Sequence, residues 1–194
     1  VNELPRLATR RLVLRQVEVA DATRVRVLAG DPEVALMTSN IPYPYEVGMA
    51  AHWITVSADL MVRGLRYSFA LDLLGEGLVG ICSLQVEPAE GRAELGYWVG
   101  KRWWGQGYAT EGARVVVAFG FERLGLRRIF AHHMAENPAS GRVMEKIGMT
   151  REGVLRQHVL HRGREPVDMV VWGMLAGELG GAGPGPGQGK AGTG

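Results

Sequence analysis

Between Arg66 and Gly100 three strand-like segments, RYSFALDL, GLVGICSLQV and RAELGYWVG, follow one another with only Gly75 to Gly77 and Pro88 to Gly91 as turn residues. Connections that short cannot carry a crossover, so the three strands are expected to run antiparallel as a meander. Around this meander the hydrophobic pattern switches between a period of two and a period near 3.6. RRLVLRQ alternates as a strand. Asp21 to Ala29 and the segment after Asp31-Pro32 read as short helices, with Pro32 suited to a first helical position. Tyr45 to Arg63 reads as a helix stopped at Gly64. Beyond the meander, Ala109 to Leu124 gathers Ala113, Val116, Val117, Gly120 and Leu124 on one face and keeps Glu111, Arg114 and Glu122 off it, the pattern of an amphipathic helix that Gly125 ends. RRIFAHHM is a strand and Pro138 to Ile147 a helix. Two last strands, roughly Gly153 to His161 and Glu165 to Met174, flank the turn HRGR. The fold class expected is α+β, a mixed α/β domain over residues 1–179 with a central, mostly antiparallel sheet. Residues 180–194, GGAGPGPGQGKAGTG, carry too few apolar groups to offset ordering entropy and are expected to form a flexible tail.

Composition narrows the function classes. A net charge of +2 and a pI near 8.9 allow contact with an anion without demanding nucleic acid, and no nucleic-acid partner is expected. The single cysteine, Cys82, excludes an internal disulfide and a cysteine-rich metal site and fits a reducing compartment, so the cytoplasm is expected. No apolar run is long enough to span a bilayer, and the start VNELPRLATRR lacks the apolar centre of a secretory signal. No membrane association is expected, and a sequence that begins at Val1 suggests a trimmed or processed start.

The stretch RWWGQGYATEG, Arg102 to Gly112, sets Gly105 and Gly107 between a strand and a helix. A helix start leaves backbone N–H groups without intrahelical partners at the positive end of its dipole, and glycine lets successive N–H groups converge on one anion. Lys101 and Arg102 add positive charge nearby. The plainer alternative is a glycine turn that only reverses the chain. A dinucleotide-binding crossover unit is excluded, because Thr110 stands where the third glycine of GxGxxG would be, the strand after the helix ends RIFAHHM, and the meander disagrees with repeated parallel crossovers.

These residues resemble the GNAT superfamily of acetyl-coenzyme A dependent N-acetyltransferases. Arg102-Trp103-Trp104-Gly105-Gln106-Gly107, followed by Tyr108-Ala109, matches that family's pyrophosphate loop. ENPASGRVMEKIGM resembles its Asn-x-x-Ser and Glu-Lys-x-Gly elements, so the resemblance runs from about Thr9 to Leu175. Within the superfamily, TRRLVLRQ, AELGYWV, RWWGQGYATEG and GVLRQHVLHRGREPVDMVVW look like the ribosomal-protein alanine or serine acetyltransferase group. The resemblance implies a sheet that splays at the cofactor site. It implies acetyl-CoA as cofactor, with coenzyme A as product, its pyrophosphate on N–H groups of Trp104 to Ala109. The pantetheine arm would lie along Tyr97, Trp98 and Val99. The acceptor implied is a primary amine, with a protein N-terminus, ribosomal proteins included, placed first. A small amine such as an antibiotic or polyamine, or a non-catalytic acyl-CoA-binding domain, are the alternatives. GNAT domains also often dimerise.

The implied chemistry asks for a base, a stabilised oxyanion and a proton for the departing thiolate, with no covalent enzyme intermediate. Glu94 is the candidate base. Strand alternation puts it with Arg92, Gly96 and Trp98 on one face, opposite Ala93, Leu95, Tyr97 and Val99. Its alternative role is a surface or salt-bridged carboxylate. Many family members use a tyrosine acid on the last helix, but Met144 stands at that place here, and Ser140 of the Asn-x-x-Ser element is the substitute the resemblance suggests. Asn137 before Pro138 fits a helix N-cap, with cofactor contact as the other reading. Met37, Tyr43, Tyr45 and Trp53 lie where the family builds its acceptor cleft. No metal is expected: His132 and His133 point to opposite faces of one strand, and so do His158 and His161. Cys82, inside GLVGICSL, is expected to be a buried, inert side chain, and the tryptophans before the helix to pack on the core.

Overall fold

The computed structural model describes residues 4–161 and 165–180. Arg162 to Arg164 of the expected HRGR turn, and residues 181–194 of the expected tail, lie outside the described residues. Among the described residues, eight strands form one sheet: β1 (Leu7–Ala8), β2 (Leu12–Gln16), β3 (Arg66–Leu73), β4 (Gly77–Glu87), β5 (Arg92–Val99), β6 (Arg128–Met134), β7 (Thr150–His161) and β8 (Glu165–Leu175), in the spatial order β1-β2-β3-β4-β5-β6-β8-β7. The meander β3-β4-β5 is antiparallel throughout. The parallel pair is β5 with β6, which a helical crossover joins.

Five α-helices among the described residues cover the sheet: α1 (Ala22–Ala29), α2 (Pro32–Leu36), α3 (Met49–Val62), α4 (Tyr108–Glu122) and α5 (Pro138–Lys146). Helix α4, with α5 beside it, packs on one face, where Phe69, Leu71, Leu84, Leu95, Val116 and Ile129 build the larger core. Helices α1 and α3 cover the other face over Ala70, Leu78 and Ile81. The expected stripe on α4 is the buried one: Ala113, Val116, Val117 and Gly120 face the sheet. A side chain at Gly112 or Gly120 would meet Leu71 or Ile129 at 2.6 and 2.7 Å, so the helix lies closer to the sheet than a larger residue permits. No helix among the described residues is long and apolar enough to cross a membrane.

Two element boundaries differ from the sequence expectation by more than two residues. Helix α3 begins at Met49 and not at Tyr45, because Gly48 takes a left-handed conformation (φ 91°) as its N-cap and leaves Tyr45 to Val47 outside the helix. Strand β7 begins at Thr150. Gly153, expected to start that strand, sits instead at a register shift against β8, the role an interior strand glycine often takes.

The pairing of β5 with β6 decides where a ligand can enter. It covers Arg92 to Glu94 against Arg128 to Phe130 and stops, although β5 continues to Val99 and β6 to Met134. Both remain paired to their outer neighbours, β4 and β8, along this length. The sheet therefore opens into a wedge at the end of β5 that leads to α4.

Candidate active site

A cleft of about 850 Å³ runs through this wedge and reaches both faces of the sheet. One wall is the loop before α4. Gly105 and Gly107 have φ of 72° and 83°, a region that costs any residue with a Cβ. Gly107 is the N-cap of α4, and the helix's first intrahelical bond from this turn runs from Glu111 N–H to the Gly107 carbonyl at 3.0 Å. The N–H groups of Tyr108, Ala109 and Thr110 precede that bond and take no intrahelical partner, an arrangement suited to an anion.

The same helix turn carries a carboxylate, Glu111, that would repel an anion if left bare. It is fully engaged. Thr9 Oγ1 donates to it at 2.6 Å, and Arg11 donates through its backbone N–H at 2.8 Å and its Nε at 2.7 Å. Burial pushes the Glu111 pKa up, but these bonds outweigh it and hold the carboxyl below its ordinary value. Arg11 also donates Nη1 to the Gln106 carbonyl at 2.9 Å and stacks 4.4 Å over the Tyr108 ring, so β2's leading end braces the loop. Arg11 was not legible as a site residue, since its partners lie about a hundred residues away in sequence.

The other wall is the unpaired length of β5. The Gly100 N–H bonds to the Val79 carbonyl of β4. Antiparallel alternation then turns the backbone of Trp98 and Gly96 toward β4 and that of Tyr97 and Val99 toward the opening. The Val99 carbonyl accepts from Trp104 Nε1 at 2.6 Å, which leaves Tyr97 N–H and C=O and Val99 N–H as the strand-like groups of the wedge. Of the tryptophans, Trp103 is buried in the core and Trp104 is exposed at the cleft.

The remaining predicted side chains divide clearly. Arg102 reaches Glu76 at 3.3 Å and does not line the cleft, while its carbonyl accepts from Gln106 Nε2. Lys101 is bound to Glu33 at 2.6 Å. Met37, Tyr45 and Trp53 line the cleft on the α1–α3 face, whereas Tyr43 is exposed outside it. Asn137 caps α5, accepting from Ser140 N–H at 3.2 Å, and its Nδ2 donates to the Met37 carbonyl at 3.1 Å, tying the two sides of the cleft together. Met144 is buried. Cys82 is fully buried, and burial pushes its thiol pKa up, so it stays protonated.

Two polar pairs stand at the wedge, one on each face. Glu94 is the last β5 residue paired to β6, and its Oε1 lies 3.3 Å from Nε2 of His132. Both side chains are about one-third exposed and line the cleft. Sequence alone assigns His132 no role in the site. Strand parity could have found it once β5 and β6 were set parallel, because Glu94 opposes Phe130 and His132 follows on the same face. On the opposite face, the Tyr97 phenol lies 2.8 Å from Ser140 Oγ and donates to the Ser140 carbonyl at 2.9 Å. Burial raises the Tyr97 pKa more than the bond to Ser140 lowers it, so the phenol is protonated at working pH. His133 points away from Glu94, toward Gly141 of α5, and burial lowers its pKa.

Comparison with known proteins agrees with this geometry. Residues 11–150 match the family profile of an acetyltransferase (GNAT) domain. The uncharacterized N-acetyltransferase p20 of Bacillus licheniformis is 31% identical over 90% of this chain and 98% of its own length. The ribosomal-protein-serine acetyltransferase of Escherichia coli is 29% identical over 53% of this chain and 59% of its own. A crystal structure of a GNAT-family acetyltransferase from Bacillus anthracis superposes with a TM-score of 0.79 at 28% identity, covering 90% of this chain and all of that one.

Proposed function

The chain belongs to the acetyltransferase (GNAT) family, and from that premise we propose that its acceptor is the α-amine of a protein N-terminus, ribosomal proteins included, acetylated in the cytoplasm. Acetyl-CoA is the acyl donor of this family. When bound, it supplies an acetyl thioester already activated toward amines, so the protein needs no nucleophilic side chain. The residues fit that donor. Gly105 leaves open space where a Cβ would stand, the first turn of α4 offers N–H groups to a pyrophosphate, and the backbone of Tyr97 and Val99 offers strand-type bonds to an extended amide arm.

The acceptor reading rests on the charge of the cleft. Among the described residues, two carboxylates line it, Glu33 and Glu94, and Glu33 is already bound to Lys101. A polycationic small amine would need several carboxylates to offset its charge, whereas a peptide N-terminus brings one amine. An α-amine, with an ordinary pKa of roughly 8, is partly neutral at pH 7, while a lysine amine near 10.4 needs a stronger base. Glu94, held by His132, accepts the one proton that must leave.

A thiol-release assay tests this acceptor directly. Peptides with free Ala, Ser, Thr or Met N-termini are expected to exceed N-blocked lysine peptides, polyamines and aminoglycosides by at least about tenfold in kcat/KM. A polyamine or aminoglycoside that leads the panel overturns the α-amine reading.

We assign the departing sulfur to the Ser140 hydroxyl, which donates to it once the Tyr97 phenol turns its single proton from the Ser140 carbonyl to Ser140 Oγ. The pair holds its protons in a partly buried site that stays neutral across the working range. Tyr97→Phe removes one neutral hydrogen bond, on the order of 1 kcal/mol, and is expected to lower kcat roughly five- to tenfold with little change in KM for acetyl-CoA. Steady-state kinetics decide the matter, and an unchanged kcat limits Tyr97 to packing.

A further inference from the structure

The floor of the acceptor side of the cleft carries a cation that the acetyl-transfer chemistry does not use. Arg66 opens β3, Gln85 is its register partner on β4, and Glu94 is the register partner of Gln85 on β5. Directly opposed residues share a face of the sheet, so the three side chains form one row across it. The next row on that face is Ser68, Ser83 and Gly96, with Ser83 Oγ donating to Ser68 Oγ at 3.0 Å. Arg66, Ser83, Gln85, Glu94, Gly96 and His132 all line the cleft. A polar strip thus leads from the base to a guanidinium.

Arg66 is held in place without a counter-ion. Its Nη2 donates to Gln85 Oε1 at 2.9 Å, and no salt bridge to it is found among the described residues. Burial pulls its pKa down with no carboxylate opposing that effect, yet an arginine remains charged in any protein. The carboxylate in its own row, Glu94, is turned to His132. A half-buried guanidinium with four further donors, presented to a ligand cleft, suits a planar anion.

Resting on the acceptor cleft described above, we propose that Arg66, steadied by Gln85, is an anion subsite that reads a carboxylate or phosphate on the acceptor, two strand spacings from the amine at Glu94. Two spacings are about 10 Å, the reach of about three extended residues. For a peptide acceptor the anion is then the side chain of the second or third residue. For a small acceptor it is the far end of a short amino acid or aminophosphonate.

The test compares wild-type enzyme with Arg66→Met, which keeps the apolar stem, and Arg66→Lys. Substrates are peptides with free Ala or Ser N-termini and Asp or Glu at positions two and three, their Asn and Gln isosteres, and short aminocarboxylates and aminophosphonates. Wild type is expected to favour the acidic peptides by roughly tenfold or more, chiefly through KM. Arg66→Met is expected to lose that preference while keeping its rate on the neutral peptides, and Arg66→Lys to keep part of it. Arg66-dependent turnover of the small anionic amines alone would retain the subsite and overturn the protein N-terminus reading. Calorimetric binding of N-acetylated acidic and isosteric neutral peptides gives a readout that needs no turnover. Equal binding of the two by wild type together with no Arg66-dependent turnover of the small anionic amines, or an acidic preference that survives Arg66→Met, overturns the proposal.

Discussion

Gly105→Glu is expected to lower affinity for acetyl-CoA by about a thousandfold while leaving the protein folded. Two effects contribute and can be separated. Gly105 sits at φ 72°, where any residue with a Cβ costs of order 1–2 kcal/mol. A Cβ there meets no atom within 4 Å, so bulk by itself is accommodated. The larger effect is charge. A carboxylate about 4 Å from a pyrophosphate charge, at an effective dielectric near 20, opposes it by about 4 kcal/mol. That is close to three powers of ten in a dissociation constant.

Gly105→Ala carries the backbone cost without the charge, so it is the natural control. It is expected to weaken binding only several-fold and to lower the melting temperature by a few degrees. Calorimetric titration of coenzyme A, with circular dichroism on each variant, distinguishes the two. If folded Gly105→Glu binds coenzyme A within threefold of wild type, the pyrophosphate does not sit on this loop, and the brace of Arg11 on Gln106 is structural alone.

The parts of this site that are legible in the sequence are the local ones. Two turns too short for a crossover set the meander, and strand parity within it puts Glu94 and Tyr97 on opposite faces of β5. The glycines of the loop announce a helix start, and Asn137-Pro138 announces the cap of α5, both within a few residues of where they act. What stays hidden depends on which strand lies beside which. Glu94 meets His132 only because β5 and β6 are parallel neighbours, Tyr97 meets Ser140 only because α5 packs on the core face, and Arg11 reaches Glu111 only because α4 packs beside β2. Periodicity sees none of these, since it registers the spacing of residues along the chain and not the register between elements. The start of α3 is displaced from its expected place for a different reason. Tyr45 to Val47 continue an apolar pattern, but the left-handed Gly48 takes the chain out of the helix. Lys101 and Arg102 illustrate the limit of counting charge, for both are occupied by Glu33 and Glu76.

Glu94→Gln is expected to cost 100- to 10,000-fold in kcat/KM for a peptide acceptor, the range that loss of a positioned general base produces. The substitution keeps the shape and a hydrogen-bonding oxygen for His132, so a structural role would lose little. What it removes is a proton acceptor where the β5–β6 pairing ends. The pH profile then reports both the base and the acceptor. Without the base, the rate follows the neutral fraction of the amine, rising about tenfold per pH unit and levelling near pH 8 for an α-amine, but continuing toward pH 10 for a lysine. Wild type is expected to be less steep below pH 8, because Glu94 removes the proton within the site. A Glu94→Gln variant within threefold of wild type, with the same pH profile, would move the proton-accepting role away from this carboxylate and leave His132 as the group on that face to test next.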